Sequence, residues 1–128
     1  MGTFIVVVTG GRSFTDYGYF SEVLDAAHAL TPFTEVRHGA APGADALASK
    51  WAHEHKVDVN AFGAKWGQWG AAAGPRRNRL MLDTSPRPNL VIAFPVGKSI
   101  GTWSCINEAK KVGIPVSVAR RPLLGASR

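Results

Sequence analysis

Cysteine is almost absent from this 128-residue chain, with Cys105 standing alone. One thiol excludes an internal disulfide framework and suits a reducing compartment, so the expected location is the cytoplasm. Long hydrophobic runs are missing as well. A run such as Phe4 to Val8 falls far short of the roughly 20 apolar residues that a membrane-spanning helix needs, and no membrane partner is expected. The start, MGTFIVVV, has no basic n-region and no small-residue cleavage site, so no secretory leader is expected. Val6 stands where an N-myristoylation signal needs Ser or Thr. Histidines at ligand spacing are lacking: His53 and His55 are two residues apart and do not share a helix face, so no metal site is expected. No complete Walker Gly-x-x-x-x-Gly-Lys-Ser/Thr motif and no complete Gly-x-Gly-x-x-Gly fingerprint occurs.

Acid is scarce in one half of the chain. Residues 1–72 hold 5 Lys/Arg and 7 Asp/Glu, a net of −2; residues 73–128 hold 10 and 2, a net of +8. The basic half suits an anionic partner, either nucleotide phosphate or nucleic acid, although a solvated basic surface with a basic tail at 120–128 would look the same in bulk charge.

Short β-branched segments bounded by Gly or Pro punctuate the chain. Residues 4–8 (FIVVV), 57–62 (VDVNAF), 89–94 (NLVIAF) and 115–119 (PVSVA) read as buried strands, and 34–38 (TEVRH) as a weaker one. Amphipathic helical patterns fill the gaps: 16–30, with Asp16 as N-cap and Phe20, Val23, Leu24, Ala27 and Leu30 on one face; 43–56, with Ala44, Leu47, Ala48, Trp51 and Ala52; 75–83, opened by Pro75; and 101–113, closed by Lys110, Lys111 and Gly113. Strand alternating with helix predicts a three-layer α/β sandwich with a mostly parallel sheet of about five strands. A single domain over 1–119 is expected, with poor order confined to the last residues.

Each glycine cluster falls after a predicted strand and before a helix: TGGRSF (9–14), HGAAPGAD (38–45) and PVGKSIGT (95–102). In open α/β sheets that edge holds ligands, and glycine lets backbone N–H groups approach an anion at a helix N-terminus. Any one of the three could be an ordinary turn; three on one edge suggest a site. The segment AAAGPRRNRLML (71–82) places Arg76, Arg77, Asn78 and Arg79 at a helix start. Arg76 and Arg79 share a face and Arg77 lies about 100° away, so only a subset can reach one site. A solvated charged face is the alternative. His38, at a strand end, reads as either a proton-transfer group or a structural histidine. Cys105 reads as a small packing residue or a thiol activated by a helix start. Trp51 reads as core, whereas Trp66 and Trp69 either stack on a base or are buried by the loop that carries them.

Taken together, VVTGGRSF, HGAAPGADALASKWA, Trp66, AGPRRNRLML, NLVIAFP and GTWSCINEAKKVGIPV resemble the YspA-like, cpYpsA-related branch of the SLOG superfamily, which also includes DNA-processing proteins and the Lonely Guy phosphoribohydrolases. The resemblance covers about residues 4–118. It implies a Rossmann-like sheet, a nucleotide or NAD-derived ligand rather than a required cofactor, and a homo-oligomer. It implies ligand contacts at Gly10, Gly11 and Arg12 in the first loop, Gly39, Gly43 and Asp45 in the second, Arg77 and Asn78 with Met81 in the Arg-Asn segment, and Gly101 and Thr102 in the phosphate loop. Asp45 would hold a ribose hydroxyl or cap its helix.

The departures bear on catalysis. Phosphoribohydrolases of the superfamily carry Pro-Gly-Gly-x-Gly-Thr-x-x-Glu, with the Glu acting beside an Arg. Here Val96 follows Pro95, Cys105 occupies the Glu position, and Glu108 lies one turn further, roughly 4.5 Å along the axis. The expected function is therefore a nucleotide-binding sensor, sponge or carrier in bacterial or phage signalling. The first alternative is a hydrolase drawing on Arg77, Glu108 and Asp45; the second is single-stranded nucleic-acid binding.

Overall fold

The structure, a computed structural model, describes residues 2–120. The expected basic tail lies almost wholly outside the described residues. Five strands, β1 (Ile5–Gly10), β2 (Glu35–His38), β3 (Asp58–Ala61), β4 (Leu90–Phe94) and β5 (Val116–Val118), form one sheet in the order β3-β2-β1-β4-β5. Every pairing is parallel, with Val7 beside both Arg37 and Val91. The helices are α1 (Tyr17–Leu30), α2 (Ala44–Glu54), the single turn α3 (Trp66–Trp69), α4 (Ala73–Asp83) and α5 (Ile100–Lys111). This is the Rossmann-like α/β arrangement expected from the alternation of elements.

β1 reads IVVV without a polar break because both its faces are covered. Val6 and Val8 join Phe20 and Leu24 of α1 and Ala48 and Trp51 of α2. Val7 points the other way, to Met81 and Leu82 of α4 and to Cys105 and Ala109 of α5. Full burial of such side chains contributes roughly 1.5–3 kcal/mol each. α1 begins where Asp16 accepts a hydrogen bond from the Tyr19 amide at 3.1 Å, as expected of an N-cap.

Several expectations need correction. The segment at 57–62 is not a buried strand: all four residues of β3 are exposed, because β3 is the sheet edge. β5, at the opposite edge, is likewise largely exposed. Leu30, expected on the apolar face of α1, is 87% exposed at the helix end. The loop around Trp66 is helical: α3 and a 3₁₀ turn at Gly70–Ala72 run directly into α4, which starts two residues before Pro75. Proline is tolerated there because first-turn amides have no intrahelical acceptor.

β2, the weakest strand on sequence, lies inside the sheet. Its burial is masked in the sequence by Arg37, which is only 1% exposed. The Arg37 guanidinium donates to Glu35 Oε2 at 2.7 Å, to the carbonyls of Met81 and Thr84 at 2.8 and 3.0 Å, and to that of Pro86 at 2.8 Å. It thereby satisfies carbonyls at the C-terminal end of α4, which have no helical partner, and ties that helix to the sheet.

Candidate functional site

The strand order places the chain reversal between β1 and β4, whose following helices cover opposite faces of the sheet. The loops after β1, β2 and β4 meet at that point, at the carboxyl edge, around a cleft of about 400 Å³. Gly10, Gly11, Arg12, Gly39, Asp45, Arg77, Asn78, Gly101 and Thr102 all line it. Gly43 lies behind the lining.

Two of the glycines are required by geometry. Gly43 has a φ of +79°, and a Cβ there would sit 2.2 Å from the Gly11 carbonyl oxygen. That same carbonyl accepts from the amides of Phe14 and Ala44, both at 3.2 Å, so Gly43 lets the first and second loops interlock. At Gly39 a Cβ would fall 2.4 Å from Nη1 of Arg77. The absent side chain is the space in which the Arg77 guanidinium rests.

Arg77 is fixed from three sides. Its Nε donates to Asn78 Oδ1 at 2.9 Å and its Nη1 to the carbonyls of Gly39 and, more weakly, Phe62. Asn78 in turn donates to the Gly101 carbonyl at 3.3 Å, which joins α4 to the start of α5. Nη2 of Arg77 has no hydrogen-bond partner among the described residues, and neither does the exposed Arg12 guanidinium.

Asp45 is 6% exposed. Its Oδ2 accepts from the amides of Gly39 at 2.9 Å and Ala41 at 3.3 Å. Ala40, between them, takes a positive φ of 59°, which turns both amides toward the carboxylate. Burial pushes the Asp45 carboxyl up to about 6, against the opposing pull of those two hydrogen bonds and of Arg77 and Arg12. Asp45 thus ties down the second loop while also lining the cleft.

α5 opens onto the same space. Ser99 precedes it in a left-handed conformation, φ 44° and ψ 54°, and its side chain caps no helix amide. Its hydroxyl instead accepts from the Val96 amide at 2.9 Å and from Thr102 Oγ1 at 3.3 Å. The amides of Ile100, Gly101 and Thr102 therefore have no acceptor among the described residues, at the positive end of the helix dipole.

The other candidates separate. Glu108 does not line the cleft: it faces Arg79 at 3.9 Å and Lys111 at 3.7 Å. An Arg77–Glu108 pair is thus not assembled, because the extra helical turn carries Glu108 past the mouth of the cleft. Arg76 lies over the Trp69 ring at 3.7 Å, away from the cleft. His38 has the structural role: Nδ1 accepts from the Ala40 amide at 2.9 Å, so Nε2 carries the proton and donates to Ser49 Oγ at 2.6 Å. Burial first, and Arg77 second, hold it below its ordinary value. Cys105 is buried and pushed up to about 12, mainly by burial, which leaves it a packing residue rather than an activated thiol. Trp66 and Trp69 are both substantially exposed, so the segment that carries them does not bury them. Thr9, Ser99 and Ile100 also line the cleft; residue type alone did not mark them. Among the described residues no group of His, Cys, Asp and Glu has metal-ligating geometry, and no helix is long and apolar enough to cross a membrane.

Comparison with known proteins agrees with this arrangement. The YspA, cpYpsA-related SLOG family matches residues 4–69, which carry the first two loops and end before Arg77. The Gene 61 protein of Mycobacterium phage D29 is 36% identical over 117 residues, covering 87% of this chain and 92% of its own length. A match over half the chain, a relative spanning nearly all of it, and an all-parallel sheet with its loops gathered on one edge lead to one conclusion: the chain belongs to the YspA, cpYpsA-related SLOG family.

Proposed function

We propose that the domain binds a phosphate-bearing nucleotide or NAD-derived ligand in the cleft at the carboxyl edge of the sheet and acts as a sensor, sponge or carrier. One observation carries this reading. Donors with no acceptor among the described residues belong to residues that line a single cleft: the Arg12 guanidinium, Nη2 of Arg77 and the first amides of α5. Fixed donors of this kind suit an anion, and guanidinium forks suit phosphate oxygens. The same set is poorly furnished for bond cleavage, since Glu108 is engaged with Arg79 and Lys111.

Thermal-shift and calorimetric titration with AMP, ADP, NAD and cyclic dinucleotides tests the proposal. A rise in Tm with at least one nucleotide, weakened by Arg12→Ala and by Arg77→Met, is expected. No shift with any of them overturns it. A second reading, N-glycosidic hydrolysis, rests on Asp45, an acid lining the cleft whose carboxyl is pushed up to about 6, within the range useful for proton transfer near neutral pH. Release of free base or ribose phosphate during the same incubations, abolished by Asp45→Asn, would establish that reading in place of simple binding.

A further inference from the structure

The cleft has an apolar side as well as an anion-binding side. Trp66, at the start of α3, lines it and remains 55% exposed; Ile100, at the start of α5, also lines it and is 79% exposed. A large exposed indole on a concave surface is unusual unless something covers it.

Trp66 is also seated by the sequence. Gly74, a buried residue inside α4, faces the indole: an added Cβ there would lie 3.3 Å from Cη2 and 3.9 Å from Cζ3 of Trp66. Glycine is among the poorest residues for a helix, and its φ here is not in the left-handed region, so backbone conformation does not demand it. Its use is steric, since it lets the edge of the six-membered ring rest against the backbone of α4. That contact fixes the ring at the edge of the cleft.

The other tryptophans differ. Trp51 is wholly buried. Trp69 belongs to a separate depression on the outer side of α4, and Arg76 already lies over its ring. Of the described tryptophans, only Trp66 both lines this cleft and lacks a cation on its ring.

The geometry points to Trp66 as the stacking platform for a flat heterocyclic base, so that the ligand is recognised through its base as well as its phosphate. This inference rests on the nucleotide-site reading above and adds the part of the ligand that decides selectivity. It excludes ribose phosphates and inorganic phosphates as ligands of comparable affinity. Because an aromatic face accepts any base, it predicts weak discrimination among bases.

The test is calorimetric titration of the full chain with AMP and with ribose 5-phosphate, which share sugar and phosphate and differ in the base. The wild-type protein is expected to favour AMP by on the order of 10- to 100-fold, the range that stacking supplies. Trp66→Ala should reduce that preference to within about threefold, Trp66→Phe should keep most of it, and Trp69→Ala should leave it in place. AMP should quench tryptophan emission in the wild type, and the quench should vanish in Trp66→Phe although binding persists. An unchanged preference in Trp66→Ala, or equal wild-type affinity for the two probes, overturns the inference while leaving a phosphate site standing. Failure of both probes to bind the wild type overturns this inference, and failure of ADP, NAD and cyclic dinucleotides as well overturns the nucleotide-site reading on which it rests.

Discussion

Replacing Asp45 by Asn should change how stability depends on pH, in a direction and window fixed by the site. The carboxyl lies at about 6 in the folded protein against an ordinary 3.8, because burial outweighs the two amide donors and the nearby guanidinium groups. A carboxyl raised on folding is protonated in the native state at a pH where the unfolded chain has already ionised it. The native state then binds more protons than the unfolded state, so stability falls as pH rises through this window. Two pKa units correspond to about 3 kcal/mol, lost between about pH 4 and pH 6 and then constant. Asn lacks this titration yet keeps an oxygen to accept from Gly39 and Ala41. The absolute stability of Asp45→Asn therefore matters less than the difference between the two proteins as pH changes. Urea unfolding followed by tryptophan emission at pH 4, 5, 6 and 7 supplies that difference. The other ionisable groups are common to both proteins and largely cancel. Relative to the wild type, Asp45→Asn should gain about 2–3 kcal/mol between pH 4 and pH 7. A difference that stays flat, or that falls with pH, refutes the claim that Asp45 is held ionised at a cost.

Other substitutions separate the scaffold from the site. Arg37→Met should cost about 3 kcal/mol and lower Tm by roughly 10 °C, because it strips the carbonyls of Met81, Thr84 and Pro86 of their donor; a loss within 1 kcal/mol would contradict the role assigned to it. Gly43→Ala forces a side chain onto a left-handed backbone and against the Gly11 carbonyl, and should cost upwards of about 2 kcal/mol in urea unfolding. Gly39→Ala drives the Arg77 guanidinium from its hydrogen bonds to the Gly39 carbonyl and Asn78, so it should cost about 1–2 kcal/mol in urea unfolding and weaken nucleotide-induced thermal shifts. Cys105, buried with its thiol pushed up to about 12, should react with a thiol-disulfide reagent in urea but negligibly in the native protein at pH 8.

Much of the architecture is legible in the sequence, for identifiable reasons. β1 and β4 stand out because burial on both faces gives uninterrupted apolar runs at 5–8 and 90–94, and Asp16 marks the start of α1 because its side chain is needed there. β2 is obscured because one of its buried side chains is an arginine, whose cost is offset by carbonyls nearly fifty residues away. β3 misleads in the opposite sense: β-branched residues suit an exposed edge as well as an interior strand. The site follows the same division. The glycines show where the loops are. Which of Arg76, Arg77 and Arg79 enters the cleft depends on partners distant in sequence, namely Gly39 for Arg77, Trp69 for Arg76 and Glu108 for Arg79.

That distribution of partners bears on what the cleft can do chemically. Had Glu108 stood at position 105, it would have faced the interior beneath the cleft, where Cys105 feels Arg77 and Asp45. With cysteine there, Asp45 is the only acid among the described residues that lines the cleft, and its Oδ2 is already committed to the second loop. Ionising it opposes burial, while losing it would release the amides that shape that loop. An anion arriving at Arg12 and Arg77 would raise the Asp45 carboxyl further, since it screens the two cations that lower it. Binding and proton uptake are therefore linked: ADP affinity should rise as pH falls from 7 toward 6 more steeply in the wild type than in Asp45→Asn, a comparison in which the titration of ADP itself cancels. Equal slopes in the two proteins would show that Asp45 does not sense the ligand and is a loop fastening and nothing more.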